Sequence, residues 1–136
     1  MGLTLKQVGS APHHTLMTGD RDDVLIVVPE EGFKDTPEVS RVTLAALQGY
    51  ARGLGKRCGL VIVANNLLAQ DPMSRRVYAE GVTPDLFYGI TMVVTSPLGR
   101  MIGHVATRLT TMQIPLGLAE SIEEGVAWLD ANRQQG

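Results

Sequence analysis

The chain reads as one α/β domain: a mixed, largely parallel sheet of about five strands packed by about four helices. Three observations predict this. Apolar runs rich in Val, Ile and Leu occur at strand length at residues 24–28, 59–64 and 88–95. Helix-start signals of the Asp/Ser/Thr–Pro or capping-box kind stand at Asp35-Thr36-Pro37-Glu38, Asp71-Pro72, Ser96-Pro97 and Ser121-Ile122-Glu123-Glu124. After an opening pair of strands, strand and helix alternate with short connections, which favours parallel pairing covered by helices.

The elements follow in order. Residues 1–12 are expected as a polar, flexible lead-in, and residues 14–17 as a first short strand. Residues 18–23, with Gly19 and three aspartates, have turn chemistry. The run 24–28, stopped by Pro29, completes a hairpin. A helix is expected from Pro37 to about Leu54, capped by Asp35 or Thr36, with Glu38 closing a capping box on Asp35. Val39, Val42, Ala46, Tyr50 and Leu54 recur at helical spacing and predict its inward face, and Gly53 and Gly55 end it. Residues 59–64 suit a strand buried on both faces. Residues 65–70 form a connection, and a short helix runs from Pro72 to Gly81. Residues 88–95 are the next strand. Leu98, Met101, Ile102, Val105 and Leu109 predict the inner face of the third helix, with Arg100, His104 and Arg108 on another. Residues 114–119 make a short last strand. Ile122, Val126 and Leu129 line the last helix, with Trp128 beside them.

Composition narrows the function classes. The chain has 136 residues, is 44% hydrophobic and carries a formal net charge of -2, so it can bury a core and has no basic excess for nucleic acid. No apolar run approaches the ~18 residues of a membrane span, and residues 1–12 lack a signal-peptide pattern. A cytoplasmic location is expected. The single cysteine, Cys58, excludes an internal disulfide and reads as a small buried hydrophobe.

No catalytic constellation emerges. Asp20, Asp22 and Asp23 sit in a turn, and Glu123 and Glu124 complement a helix start. Ser96 and Ser121 read as caps, and no Gly-x-Ser-x-Gly elbow exists. His104 has no second ligand at helical spacing, so no metal is expected. Gly53-Leu54-Gly55-Lys56 leads from helix to strand, the wrong context for a phosphate loop. No cofactor is expected. One edge remains. Ligands of parallel sheets gather where strand C-termini meet helix N-termini. Asn65, Asn66, Ser74, Ser96 and Arg100 fall there and form the candidate surface for a partner's acid or a small anion, using free helix N–H donors.

Three stretches carry a resemblance: Val-Val-Thr-Ser-Pro-Leu-Gly-Arg-Met-Ile-Gly at 93–103, Ile114-Pro115, and Ser-Ile-Glu-Glu-Gly-Val-Ala-Trp-Leu at 121–129. Over roughly residues 24–128 the chain resembles small bacterial STAS-like proteins of unknown function, related to sporulation anti-anti-sigma factors. The resemblance implies a mixed sheet with helices and a non-enzymatic regulatory or protein-interaction role. Anti-anti-sigma factors place a phosphorylatable serine in an Asp-Ser-Ser/Thr-Gly-like motif at a helix start. Here that region reads Asp71-Pro72-Met73-Ser74-Arg75-Arg76. Asp71 matches the aspartate, Pro72 and Met73 replace the serine positions, and Ser74 is the hydroxyl that remains. STAS-like folds have also been compared with lipid-transfer (CRAL-TRIO) domains. The alternative function is therefore the binding of a small apolar or anionic ligand. Modest charge on a small domain further suggests a homodimer. A closed surface would favour the interaction role, and a pocket of ~300 Å³ or more the ligand role.

Overall fold

The computed structural model describes residues 4–109 and 111–133, without the side chains of residues 106 and 109. The described elements are β1 (Lys6–Ala11), β2 (His14–Thr18), β3 (Val24–Pro29), β4 (Phe33–Asp35), α1 (Pro37–Leu54), β5 (Cys58–Val63), a 3-10 turn (Ala64–Asn66), β6 (Leu67–Gln70), α2 (Pro72–Gly81), β7 (Phe87–Val93), α3 (Pro97–Leu109), β8 (Leu116–Ala119) and α4 (Ile122–Ala131). The main sheet has the order β1-β2-β3-β5-β7-β8, and β4 pairs with β6 in a small parallel ribbon. β2 pairs antiparallel with β1 on one side and with β3 on the other, and from β3 onward every pair in the main sheet is parallel. The α/β architecture and the opening hairpin are as the sequence predicts.

Three strands lie outside that expectation. Lys6–Ala11 falls in the stretch expected as a flexible lead-in but forms edge strand β1. Its side chains are mostly exposed, so it has no apolar alternation to announce it. β4 spans three residues between β3 and α1, and β6 four residues within the stretch 65–70 expected as a connection. Such short strands are defined by pairing with each other, which a local pattern cannot reveal.

The strand order dictates the layering. From β3 the sheet grows in one direction, β3 to β5 to β7 to β8. Right-handed crossovers in one direction put their helices on one face. The packing agrees: Leu47 and Ala51 of α1, Val82 at the end of α2 and Ile102 of α3 belong to clusters that share Ile62 and Leu116. The other face carries Val24, Ile26, Val61 and Tyr88, covered by Leu129 of α4. Gly117 permits part of that cover. A Cβ there would lie 2.2 Å from Trp128 Cε2, so only glycine lets the indole rest on β8.

The helix caps fall close to their signals. Asp71 accepts from Met73 N at 2.8 Å, Ser96 from Gly99 N at 2.9 Å and Ser121 from Glu124 N at 3.1 Å. Gly55 ends α1 with φ 78°, a left-handed cap position. For α1 the cap is Thr36, not Asp35, whose carboxylate turns inward to accept from Ser40. The inward stripe of α1 also differs from expectation. Ser40, Thr43, Leu47 and Ala51 are buried, whereas Val42 is 51% exposed. Val39, Ala46, Tyr50 and Leu54 pack at the flanks. In α3, Ile102 is buried and Leu98 packs beside it, but Met101 is 56% exposed. The side chain of Leu109 lies outside the described residues. Cys58 is buried as expected, and burial pushes its thiol up to about 12.

Candidate functional site

Two regions are candidate sites: the rim at the C-terminal ends of the parallel strands, and a cavity between the sheet and α1 and α2.

At the rim, the 3-10 turn after β5 faces the turn between β7 and α3. Asn65 Oδ1 accepts from the backbone of Thr95 at 2.6 Å and of Ser96 at 3.1 Å, and Asn65 Nδ2 donates to Thr95 Oγ1 at 2.6 Å. Gly99 leaves room for this clamp, because a Cβ there would lie 2.7 Å from Asn65 Oδ1. Asn66 donates to Pro29 O at 2.7 Å, tying the turn to β3. The structure thus brings Asn65 and Ser96 together, with Asn66 behind them and Arg100 one turn into α3. Their donors are already used. Asn65 takes the N–H groups of Thr95 and Ser96, and Ser96 takes those of Gly99 and Arg100. The anion perch expected from free N–H groups is therefore filled by the protein itself. Arg100 stays exposed, 3.8 Å from Glu120, an ion pair that solvent weakens. Ser74 is elsewhere: it is fully buried on the inner side of α2, and its hydroxyl has no partner among the described residues.

The rim also carries apolar surface. Leu68 on β6 is 46% exposed, Met73 in the first turn of α2 47%, and Met101 beside Arg100 is the most open of the three. β6 runs directly into α2, and α3 packs on β6 and on the 3-10 turn, so these side chains stand on elements that adjoin one another.

The cavity was not visible as a motif. It measures about 70 Å³ and is walled by Leu47, Leu60, Ile62, Ile90 and Met92. Polar groups gather at its lining. Asp35 accepts from Ser40 Oγ at 2.8 Å and from Gln70 Nε2 at 3.3 Å. His14 Nδ1 donates to the Pro12 carbonyl at 2.8 Å, with Thr43 Oγ1 at 3.3 Å. The Tyr78 hydroxyl lies against those of Ser40 and Thr43. Burial raises Asp35 above the usual carboxylate range, with the Ser40 and Gln70 bonds and His14 opposing it. Burial likewise lowers His14, so its neutral ring keeps the lone pair on Nε2. Burial also raises Tyr78. The one sequence signal for this cluster was the pair Ser40 and Thr43, three residues apart on α1. It was masked because they interrupt, rather than extend, an apolar stripe.

Comparison with solved structures settles the fold. An uncharacterized protein of the DUF3478 family from Shewanella loihica PV-4, itself described as SpoIIAA-like in fold, superposes with a TM-score of 0.54 over 94% of each chain, at 14% identity. The fold is SpoIIAA-like. That agrees with the STAS-like resemblance read from residues 24–128, and at this identity the likeness is one of fold alone. No family model matches the chain, and no curated protein matches it in sequence. Within the SpoIIAA-like fold, α2 occupies the helix after the central β5, and Ser74 points into the core rather than out of its first turn. No described helix is long and apolar enough to cross a membrane.

Proposed function

We propose that this chain is a non-enzymatic, cytoplasmic STAS-like module that works by binding a protein at the rim of β5 and β7, either another protein or a second copy of itself. The observation that carries the reading is the exposure of Leu68, Met73 and Met101 around the rim where Arg100 also stands free to solvent. Flexible methionines adapt to a partner's side chain, and burying such a group contributes ~1.5–3 kcal/mol. Arg100 can exchange its loose contact with Glu120 for a bidentate one with a partner's acid. Asn65 holds the surface rigid.

The ligand-binding alternative has the cavity in its favour. Its ≈ 70 Å³ lies far below the ~300 Å³ of ordinary ligand pockets, which favours a small guest over a lipid-sized one.

Native mass spectrometry after pull-down tests the interaction reading. Met101→Asp combined with Arg100→Ala should release the partner or the second copy that wild type retains. Val42→Asp, exposed on α1, should release nothing, and all three proteins should melt alike. A double variant that keeps its partners rules out the rim. A wild-type protein found only at 14.6 kDa rules out the interaction reading.

A further inference from the structure

We infer that the cavity beneath α1 and α2 is a binding site for a small neutral molecule with a donor–acceptor head, a hydroxyl or a carboxamide, on a short apolar tail. This rests on the ligand-binding reading and is independent of the rim.

Size fixes the tail. A dry apolar cavity of about 150 Å³ accommodates benzene. At about 70 Å³, this one suits a tail of roughly three carbons. Its apolar walls favour an apolar part in any guest.

Hydrogen-bond accounting fixes the head. Gln70 lines the cavity and spends its Nε2 on Asp35, while its Oε1 is buried with no donor among the described residues. Arg75 lines the same cavity, half-buried, and its guanidinium makes no hydrogen bond or ion pair among the described residues. Gln70 Oε1 therefore lacks a donor, and Arg75 has donors to offer. A carboxamide supplies both, its N–H to Gln70 Oε1 and its carbonyl to Arg75. A hydroxyl does the same with one oxygen. A carboxylate would satisfy Arg75 but leave Gln70 Oε1 unpaired and face Asp35. An ammonium would satisfy Gln70 but face Arg75. The carboxylate's cost is a buried group left unpaired, and the ammonium's is a like charge beside it. Burial also holds Asp35 and His14 toward their neutral forms, which marks the lining as hostile to added charge.

The experiment is a methyl-detected NMR titration of the intact protein with four three-carbon probes: 1-propanol, propionamide, propionate and propylammonium. The methyl signals of Ile62, Ile90 and Met92 report on the cavity. Propanol and propionamide should shift them saturably, and the two ions should bind at least roughly tenfold more weakly. Gln70→Met should weaken propionamide by roughly tenfold while xenon still perturbs the same methyls. If Gln70→Met does not fold, Arg75→Met carries the same expectation. Propionate or propylammonium binding as tightly as propionamide overturns the neutral head. Xenon binding without any response to propanol or propionamide also overturns it, and leaves a site for apolar ligands. No response to any probe overturns ligand binding in this cavity altogether.

Discussion

His14 shows how much one residue's setting outweighs its type. In the sequence it is half of a short His-His pair near a proline. In the fold its ring is buried against Phe33, edge-on at 4.9 Å, with Nδ1 committed to the Pro12 carbonyl. Its neighbour His13 stands at φ 62° and stacks on the same Phe33 at 5.2 Å. Burial lowers the folded-state value of His14 below 6.5. The stability it contributes is therefore present above 6.5 and lost as the pH falls through the folded value. Asp35 has the opposite sign. Its folded value lies above 3.8, so its contribution is present below 3.8 and lost as the pH rises through the folded value. Urea midpoints of wild type should therefore fall on mild acidification below neutrality, and His14→Gln should flatten that fall. An unchanged slope in the variant would show that His14 is not the group responsible.

At the scale of elements, α1 separates what was legible from what was not. Its limits were readable, because Pro37 at its start and Gly55 after its end are local signals. Its orientation was not. The apolar residues Val39, Val42, Ala46, Tyr50 and Leu54 form a genuine helical stripe, yet the buried stripe is one step round the helix at Ser40, Thr43, Leu47 and Ala51. Ser40 and Thr43 can point inward only because Asp35, His14 and Tyr78 meet them, and those partners come from distant segments. The same limit applies to the site. Asn65 and Ser96 were placed together correctly by topology, since a strand end and a helix start must share the rim. Ser74 was misplaced because the register of α2 depends on tertiary packing. Leu47→Ala and Val42→Lys test the orientation of α1 directly. Leu47 is fully buried in the main cluster, so its truncation should cost about 2–5 kcal/mol. Val42→Lys should stay within about 0.5 kcal/mol. Comparable losses in urea denaturation would mean that the helix sits differently on the sheet.

At the scale of the whole molecule, the two faces of the sheet are unequal. Among the described elements, one is covered by α1, α2 and α3, each laid down between strands, and the other by α4, which follows β8. Arg21 fastens that late helix. It pairs with Asp23 at 2.9 Å and holds both carboxylate oxygens of Asp130 at 2.7 Å, while Arg133 sits 4.1 Å above the Tyr88 ring. These contacts are partly exposed, so they orient α4 more than they stabilise it. The energy lies in Leu129 and its neighbours. A chain stopped after Glu120 keeps every described strand and should nonetheless aggregate and bind a hydrophobic dye, because Val24, Ile26, Val61 and Tyr88 lose their cover. A soluble truncated chain with a sharp melting transition would contradict this layering. On the ribosome the N-terminal strands emerge first. The nascent domain therefore grows with one face already dressed and the other bare until its final helix arrives. Over that interval the apolar face of Val24, Ile26, Val61 and Tyr88 is open to aggregation.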